Sequence, residues 1–275
     1  MNFSVSVRPE AGLVQALVNY IVPTAEKPYS YTFDPPPGKP MRSGRYLETA
    51  VGIRDGRPLA DRFHLDREGF TLLNRPTQVR DLYDEGEIKG VYYPEMERLV
   101  AAETGASRVV VFDHTIRTAA PGRSGFRDAV TRAHNDYTEK SGPQRIRDLL
   151  PAEEAERLLK RRFAFINVWR PIRGPLQDRP LALCDATSMG PEDFVASDLI
   201  YRDRLGETYA VAFNPAHRWF YFPDMSRDEV VLIKCYDSDK KRARFTAHTA
   251  FVDPNAPADA PPRESIEIRT IAFFG

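Results

Sequence analysis

From residue 162 onward the chain is a succession of short strand-like runs, and this rhythm constrains the fold more than any other feature. The runs are Phe163–Trp169, Leu181–Asp185, Thr208–Phe213, Arg218–Phe222, Glu229–Tyr236, Arg244–Thr249 and Ser265–Phe273. Seven strands at this spacing, with turn residues between them, predict a barrel or two facing sheets. The chain carries 23 prolines against 16 glycines. Interruptions that frequent suit strands joined by loops better than long helices.

The rest of the chain reads as additions to that β unit. Residues 1 to about 75 are rich in strands and loops, with an edge strand at Phe3–Val7 and a short strand and turn at His64–Phe70. The three successive prolines in Asp34–Pro40 place that stretch in an extended surface loop. Tyr93-Pro94-Glu95 opens a helix through Met96, Leu99 and Val100. Arg108–Asp113 is β-branched and uninterrupted, which predicts a buried strand. Residues 143–161 read as helical, with acidic Glu153, Glu154 and Glu156 after Pro151 and basic Lys160, Arg161 and Arg162 at the end. No linker or repeat divides the 275 residues. The expectation is one domain over 1–275, with the segment of about 1–75 packed on it.

Charge and cysteine usage narrow the function classes. Lys and Arg number 39 and so do Asp and Glu. A net charge of zero argues against a nucleic-acid binder. Two cysteines, Cys184 and Cys235, rule out a four-cysteine zinc site and predict reduced thiols in a cytoplasmic protein. No apolar run is long enough to span a membrane, and no signal peptide is visible.

Chemistry concentrates around two histidines. In a strand, His134 and Asp136 of His134-Asn135-Asp136 point to the same side. One imidazole, one carboxylate and a second imidazole can hold one face of an octahedral metal, an arrangement suited to Fe(II) and oxygen. His248 is the best second imidazole. Fifteen residues later come Arg263 and then Ser265, after a turn-rich connector, and the layout predicts two neighbouring strands. Arg263, Ser265, Glu267 and Arg269 share one face of the second strand, with Ile266 and Ile268 on the other. Polar side chains facing a barrel interior need a ligand to satisfy them. A guanidinium and a serine hydroxyl suit a carboxylate.

His134-x-Asp136, His248 and Arg263-x-Ser265 together resemble the iron(II)- and 2-oxoglutarate-dependent oxygenases. The resemblance extends to Phe112–Arg117, Ala133–Thr138, Asn167–Pro171, Trp219–Pro223, Cys235–Ser238 and Arg263–Arg269. These stretches are similar to a natural-product hydroxylase/desaturase branch that includes cephamycin hydroxylation proteins, gibberellin-desaturase-like proteins and aspergillic acid hydroxylases. The resemblance implies a mainly β protein with flanking helices, built as a double-stranded β-helix or jelly roll. It implies Fe(II) on His134, Asp136 and His248, and 2-oxoglutarate held by Arg263 and Ser265, with Arg269 as a rival and Asn167 beside it. It also implies hydroxylation or desaturation of a small secondary metabolite, with release of succinate and CO2.

His114, Arg117, Trp169, Arg170 and Tyr221 are the expected substrate contacts. A two-fold homodimer is the assembly expected from the commonness of such pairs. Two other readings compete. A jelly-roll metal hydrolase or isomerase would need the three ligands but not Arg263-x-Ser265. An interaction module with structural histidines would bind no metal.

Overall fold

The computed structural model describes residues 12–123 and 125–275. The expected edge strand at Phe3–Val7 lies outside the described residues. Among the described residues fourteen strands form two sheets, and the order within each departs from chain order. The larger sheet runs β1 (Leu13–Ile21), β3 (Tyr46–Asp55), β11 (Trp219–Tyr221), β8 (Leu181–Cys184), β13 (His248–Ala250), β6 (His134–Asn135), β10 (Leu205–Val211), β9 (Phe194–Ile200) and β2 (Tyr29–Tyr31). The smaller runs β4 (Phe70–Asn74), β12 (Glu229–Asp237), β7 (Phe163–Pro171), β14 (Glu264–Phe273) and β5 (Arg108–Thr118). All neighbours are antiparallel except β11–β3 and β2–β9. Two facing curled sheets with non-sequential strand order make the expected jelly roll.

Alternation along β7 explains the layering. Phe163, Phe165 and Trp169 point between the sheets, where they pack with Phe220, Leu183 and Ile233. Ala164, Ile166 and Val168 point outward against Met96, Leu99 and Val100. Those three belong to α2 (Tyr93–Thr104), which follows a single turn, α1 (Glu85–Glu87), and ends at Gly105 in the left-handed conformation. Every residue of β7 is therefore buried, since helix covers one face and sheet the other.

A third apolar compartment lies on the far side of the larger sheet. β1 and β3 curl back over it, and bridges from Asn19 to Arg132 and from Ile21 to Ala212 tie β1 to the sheet's other half. Val14, Ala16, Val18 and Tyr20 pack there with Cys184, Trp219, Tyr221 and Phe251. The described part of the N-terminal segment thus supplies strands to both sheets, β4 included.

Four local expectations need correction. Residues 143–161 hold two helices, α3 (Ser141–Leu149) and α4 (Ala152–Leu159), because Leu150 is extended before Pro151. β5 is an edge strand and only partly covered, so Arg108–Asp113 is half-buried rather than buried. Of Arg244–Thr249 only the end is strand. β13 and β14 are not neighbours: they lie in different sheets, and the intervening connector crosses from one to the other.

Candidate functional site

The site sits where β6 and β13 of the larger sheet face β7 and β14 of the smaller. His248 and His134 are direct cross-strand partners. Their imidazoles share one face of the sheet, with ring centroids 4.4 Å apart. Asp136 follows two residues after His134 and returns to the same side. One ligand atom from each of His134, Asp136 and His248 lies within 4.8 Å of the others.

Backbone carbonyls prepare the imidazoles. His134 Nδ1 lies 2.8 Å from the carbonyl of Arg132, and His248 Nδ1 lies 3.0 Å from that of Thr246. A carbonyl only accepts, so each Nδ1 carries the proton and each Nε2 offers its lone pair. Burial first, and then the neighbouring His248, push the His134 pKa down to about 3. The ring is therefore neutral at physiological pH, the form that binds metal.

The carboxylate is prepared as well. Asn167 Nδ2 donates to Asp136 Oδ2 at 2.8 Å, and Arg269 Nε donates to the same oxygen at 3.3 Å. The other oxygen, Oδ1, lies 3.6 Å from His134 Nε2. Burial opposes ionisation of Asp136, but Arg269 foremost, with the Asn167 hydrogen bond, overcomes it and holds the carboxyl below the usual range. Asn167 is fully buried, and its Oδ1 has no partner. Two imidazoles and an ionised carboxylate on one side of a centre fit Fe(II).

The interior face of β14 continues the site. Arg269 also meets Thr115 at 2.8 Å, Asp113 at 3.2 Å and Glu267 at 2.7 Å, so its charge is already matched by carboxylates. Arg263 differs. Its Nε donates to Ser265 Oγ at 3.1 Å and its Nη1 to the Arg179 carbonyl at 2.9 Å. Its guanidinium lies 5.0 Å from the Trp169 ring centroid. All three neighbours are neutral. Arg179 takes a positive φ of 46° to present that carbonyl, a strained conformation for a non-glycine residue. Burial and then the nearby Arg117 push the Arg263 pKa down to about 9. Arg263 thus has no carboxylate within ion-pair distance, in contrast to Arg269, although Glu267 and Asp178 act on it from farther away.

A cavity of about 980 Å³ opens beside His134 and Asp136, with Arg117, Phe112, Arg145 and Phe126 among its walls. Its volume suits a substrate larger than a simple organic acid.

Of the expected substrate contacts, His114 and Arg117 both line this cavity, while strand parity and register take Arg170 and Tyr221 elsewhere. His114 Nδ1 meets Tyr93 Oη at 2.7 Å and Nε2 meets Glu85 at 3.2 Å, on the helical side. Arg117 pairs across the ladder with Ser265 and faces the interior. Trp169 and Arg170 are adjacent, so only Trp169 faces inward. Arg170 is buried on the helical side, donating to Tyr92 Oη at 2.8 Å and to the carbonyls of Arg227 and Arg75. Tyr221 lies in the third compartment, edge-on to Phe251 at 5.2 Å. Asp113, Thr115 and Arg145 escaped the sequence reading; the period of two from Arg117 identifies the first two.

A jelly roll with a His-x-Asp, distal-His centre and a buried arginine without an ion-pair partner has the architecture of a non-haem iron oxygenase. Comparison with known proteins agrees. The profile of a family described as an oxidoreductase/YMDC permease-like domain matches residues 18–273, and the chain belongs to that family. It is 32% identical over 276 residues to the Fe(II)/2-oxoglutarate-dependent dioxygenase nvfI of Aspergillus novofumigatus, covering 98% of this chain and 95% of the relative. It is 33% identical over 264 residues to the hydroxylase/desaturase efuI of Hormonema carpetanum, covering 84% and 85%. Among solved structures, a variant of the iron and alpha-ketoglutarate-dependent endoperoxidase NvfI superposes with a TM-score of 0.90 at 29% identity, covering 98% of this chain and all of that one. The protein is an Fe(II)- and 2-oxoglutarate-dependent dioxygenase of the hydroxylase/desaturase group. Among the described residues no helix is long and apolar enough to cross a membrane.

Proposed function

We propose that His134, Asp136 and His248 hold the iron, that Arg263 with Ser265 holds the distal carboxylate of 2-oxoglutarate, and that the enzyme hydroxylates or desaturates a natural-product intermediate. The convergence of the three ligand atoms within 4.8 Å carries this reading. With both groups bound, the centre couples oxidative decarboxylation of 2-oxoglutarate, to succinate and CO2, with oxidation of a substrate C–H bond.

The chain's own residues do the rest. The two backbone carbonyls aim the imidazoles. Asn167 and Arg269 occupy Asp136 Oδ2, so Oδ1 is the oxygen that would be free to meet the metal. Trp169 and the Arg179 carbonyl hold the Arg263 fork in place. The substrate enters the adjoining cavity, where Phe112 and Phe126 offer apolar walls and Arg145 a cation.

Strands from both ends of the chain in each sheet support a single oxygenase domain over 1–275. Two free buried thiols, Cys184 and Cys235, support a reducing, cytoplasmic setting. A two-fold homodimer is the assembly in this reading, and light scattering tests it.

The decisive experiment is anaerobic reconstitution with Fe(II) followed by 2-oxoglutarate. A weak visible charge-transfer band is expected, lost in His248→Ala and weakened in Arg263→Ala. Iron binding without a band would remove the proposed co-substrate site. Failure to bind iron in the intact protein would remove the proposed ligand set.

A further inference from the structure

Arg145 is half-buried on α3 and lines the same large cavity as His134 and Asp136. The helix is tied to the metal-binding segment just after Asp136. Thr138 N donates to Ser141 Oγ at 2.9 Å, and Ser141 N donates to Thr138 Oγ1 at 3.1 Å. Ile146, fully buried, anchors the same helix in the core. Arg145 is therefore held in fixed register with the proposed iron ligands. Its guanidinium lies 5.3 Å from the Phe112 ring centroid. Phe112 and Tyr137 both rest on Phe165, at centroid distances of 6.0 and 4.1 Å. Arg145 thus stands over one end of an aromatic bench, and the other end, Tyr137, adjoins Asp136.

Among the described residues Arg145 forms no ion pair and no hydrogen bond, although carboxylates line the same cavity. Asp148, on the same helix, accepts from Gln144 Nε2 at 2.9 Å. Asp113, next to Phe112, is drawn to Arg269 at 3.2 Å. Asp198 and Glu207 are bound by Lys27, and Glu85 by Lys89 at 3.0 Å. A guanidinium stacked on a ring keeps its N–H donors in its own plane, where they match the two oxygens of a carboxylate. A neutral molecule that displaced water from this wall would leave those donors unpaired, so the site discriminates by charge.

We propose that the substrate is an organic acid with a bulky apolar body, and that Arg145 is the specificity-determining residue that takes its carboxylate while Phe112 and Tyr137 support the apolar part. The proposal rests on the reading of His134, Asp136 and His248 as the iron ligands.

The test titrates anaerobic Fe(II)-loaded protein, saturated with 2-oxoglutarate, with 2-naphthoate and with 2-naphthamide, a neutral probe of nearly the same shape. Calorimetry gives each Kd, and movement of the visible charge-transfer band reports a probe beside the iron. The wild type is expected to bind the acid about tenfold or more tighter than the amide. In Arg145→Gln the two should agree within about twofold, and Arg145→Lys, which keeps the charge but loses the fork, should fall between. The band before probe is added, and the melting temperature, report an intact centre and fold in each variant. Arg132→Gln is the control, since that guanidinium lies 5.5 Å from the Tyr46 ring, on a strand of the larger sheet. It should keep the preference for the acid. Equal binding of acid and amide by the wild type, or no binding of either, overturns the proposal, as does heat without movement of the band. A preference that survives Arg145→Gln also overturns it. If the wild type forms no band with 2-oxoglutarate, the iron and co-substrate reading fails; if the band forms and the acid is not preferred, only the Arg145 assignment fails.

Discussion

Asn167 donates to Asp136 Oδ2 across 2.8 Å, and this bond joins the two sheets at the metal centre. Asp136 follows β6 of the larger sheet, while Asn167 lies on β7 of the smaller. The orientation of the amide follows from chemistry, since only its NH2 group can donate to a carboxylate. The bond holds the carboxylate in one rotamer before metal arrives.

Asn167→Leu keeps a similar volume and removes the donor. Fe(II) affinity should fall by about 10–100-fold, the usual penalty for losing a partner of a metal ligand. Chelator competition measures it. An unchanged affinity would mean that Arg269 alone orients Asp136.

Loss of His248 should uncouple the metal from stability. In the intact protein, Fe(II) at a hundredfold excess over Kd should add about 2.7 kcal/mol to unfolding stability. His248→Ala should abolish the metal-induced rise in Tm while the metal-free variant still melts cooperatively. A retained rise in anaerobic thermal melts would exclude His248 as a ligand.

Arg170 should matter for stability and not for the centre. Arg170→Ala strips the donors from Tyr92 Oη and from the Arg227 and Arg75 carbonyls. The expected loss is about 3 kcal/mol or more, because buried acceptors are left unsatisfied. Urea denaturation reads it, and Fe(II) affinity should stay within twofold. A large change in 2-oxoglutarate binding with unaltered stability would restore Arg170 as a site residue.

His217 should make stability fall in mild acid. Its side chain is 1% exposed, with Nε2 3.1 Å from Asp193 Oδ2, a ring stacked on Tyr20, and no partner for Nδ1. Burial lowers its pKa below the ordinary 6.5, outweighing the attraction of Asp193. The unfolded chain then binds the proton more readily. The stability contribution is present above pH 6.5 and is lost as pH falls below it, at up to about 1.4 kcal/mol per pH unit. Denaturation of the wild type and His217→Gln between pH 7.5 and 5 checks this. The variant should show the shallower slope, and equal slopes would rule His217 out.

The sequence by itself determined the β architecture and the pairing of His134 with Asp136, because both depend on short-range spacing, while His248 joins them only through the register of β13 against β6. A period of two puts His134 and Asp136 on one side, and it sorts Arg263, Ser265, Glu267 and Arg269 from Ile266 and Ile268 without any knowledge of neighbours. Tertiary structure alone decided which face of each strand meets the centre. Parity separates Trp169 from Arg170, but only the helix packed on the smaller sheet shows which of the two turns inward. Tyr221 went to a third compartment because β1 and β3 curl over the larger sheet, a closure made by long-range bridges that leave no local trace. The choice between Arg263 and Arg269 was also tertiary. Both are arginines on one strand face, and the difference lies in the carboxylates of Asp136, Asp113 and Glu267, which stand at ion-pair distance from Arg269 and not from Arg263.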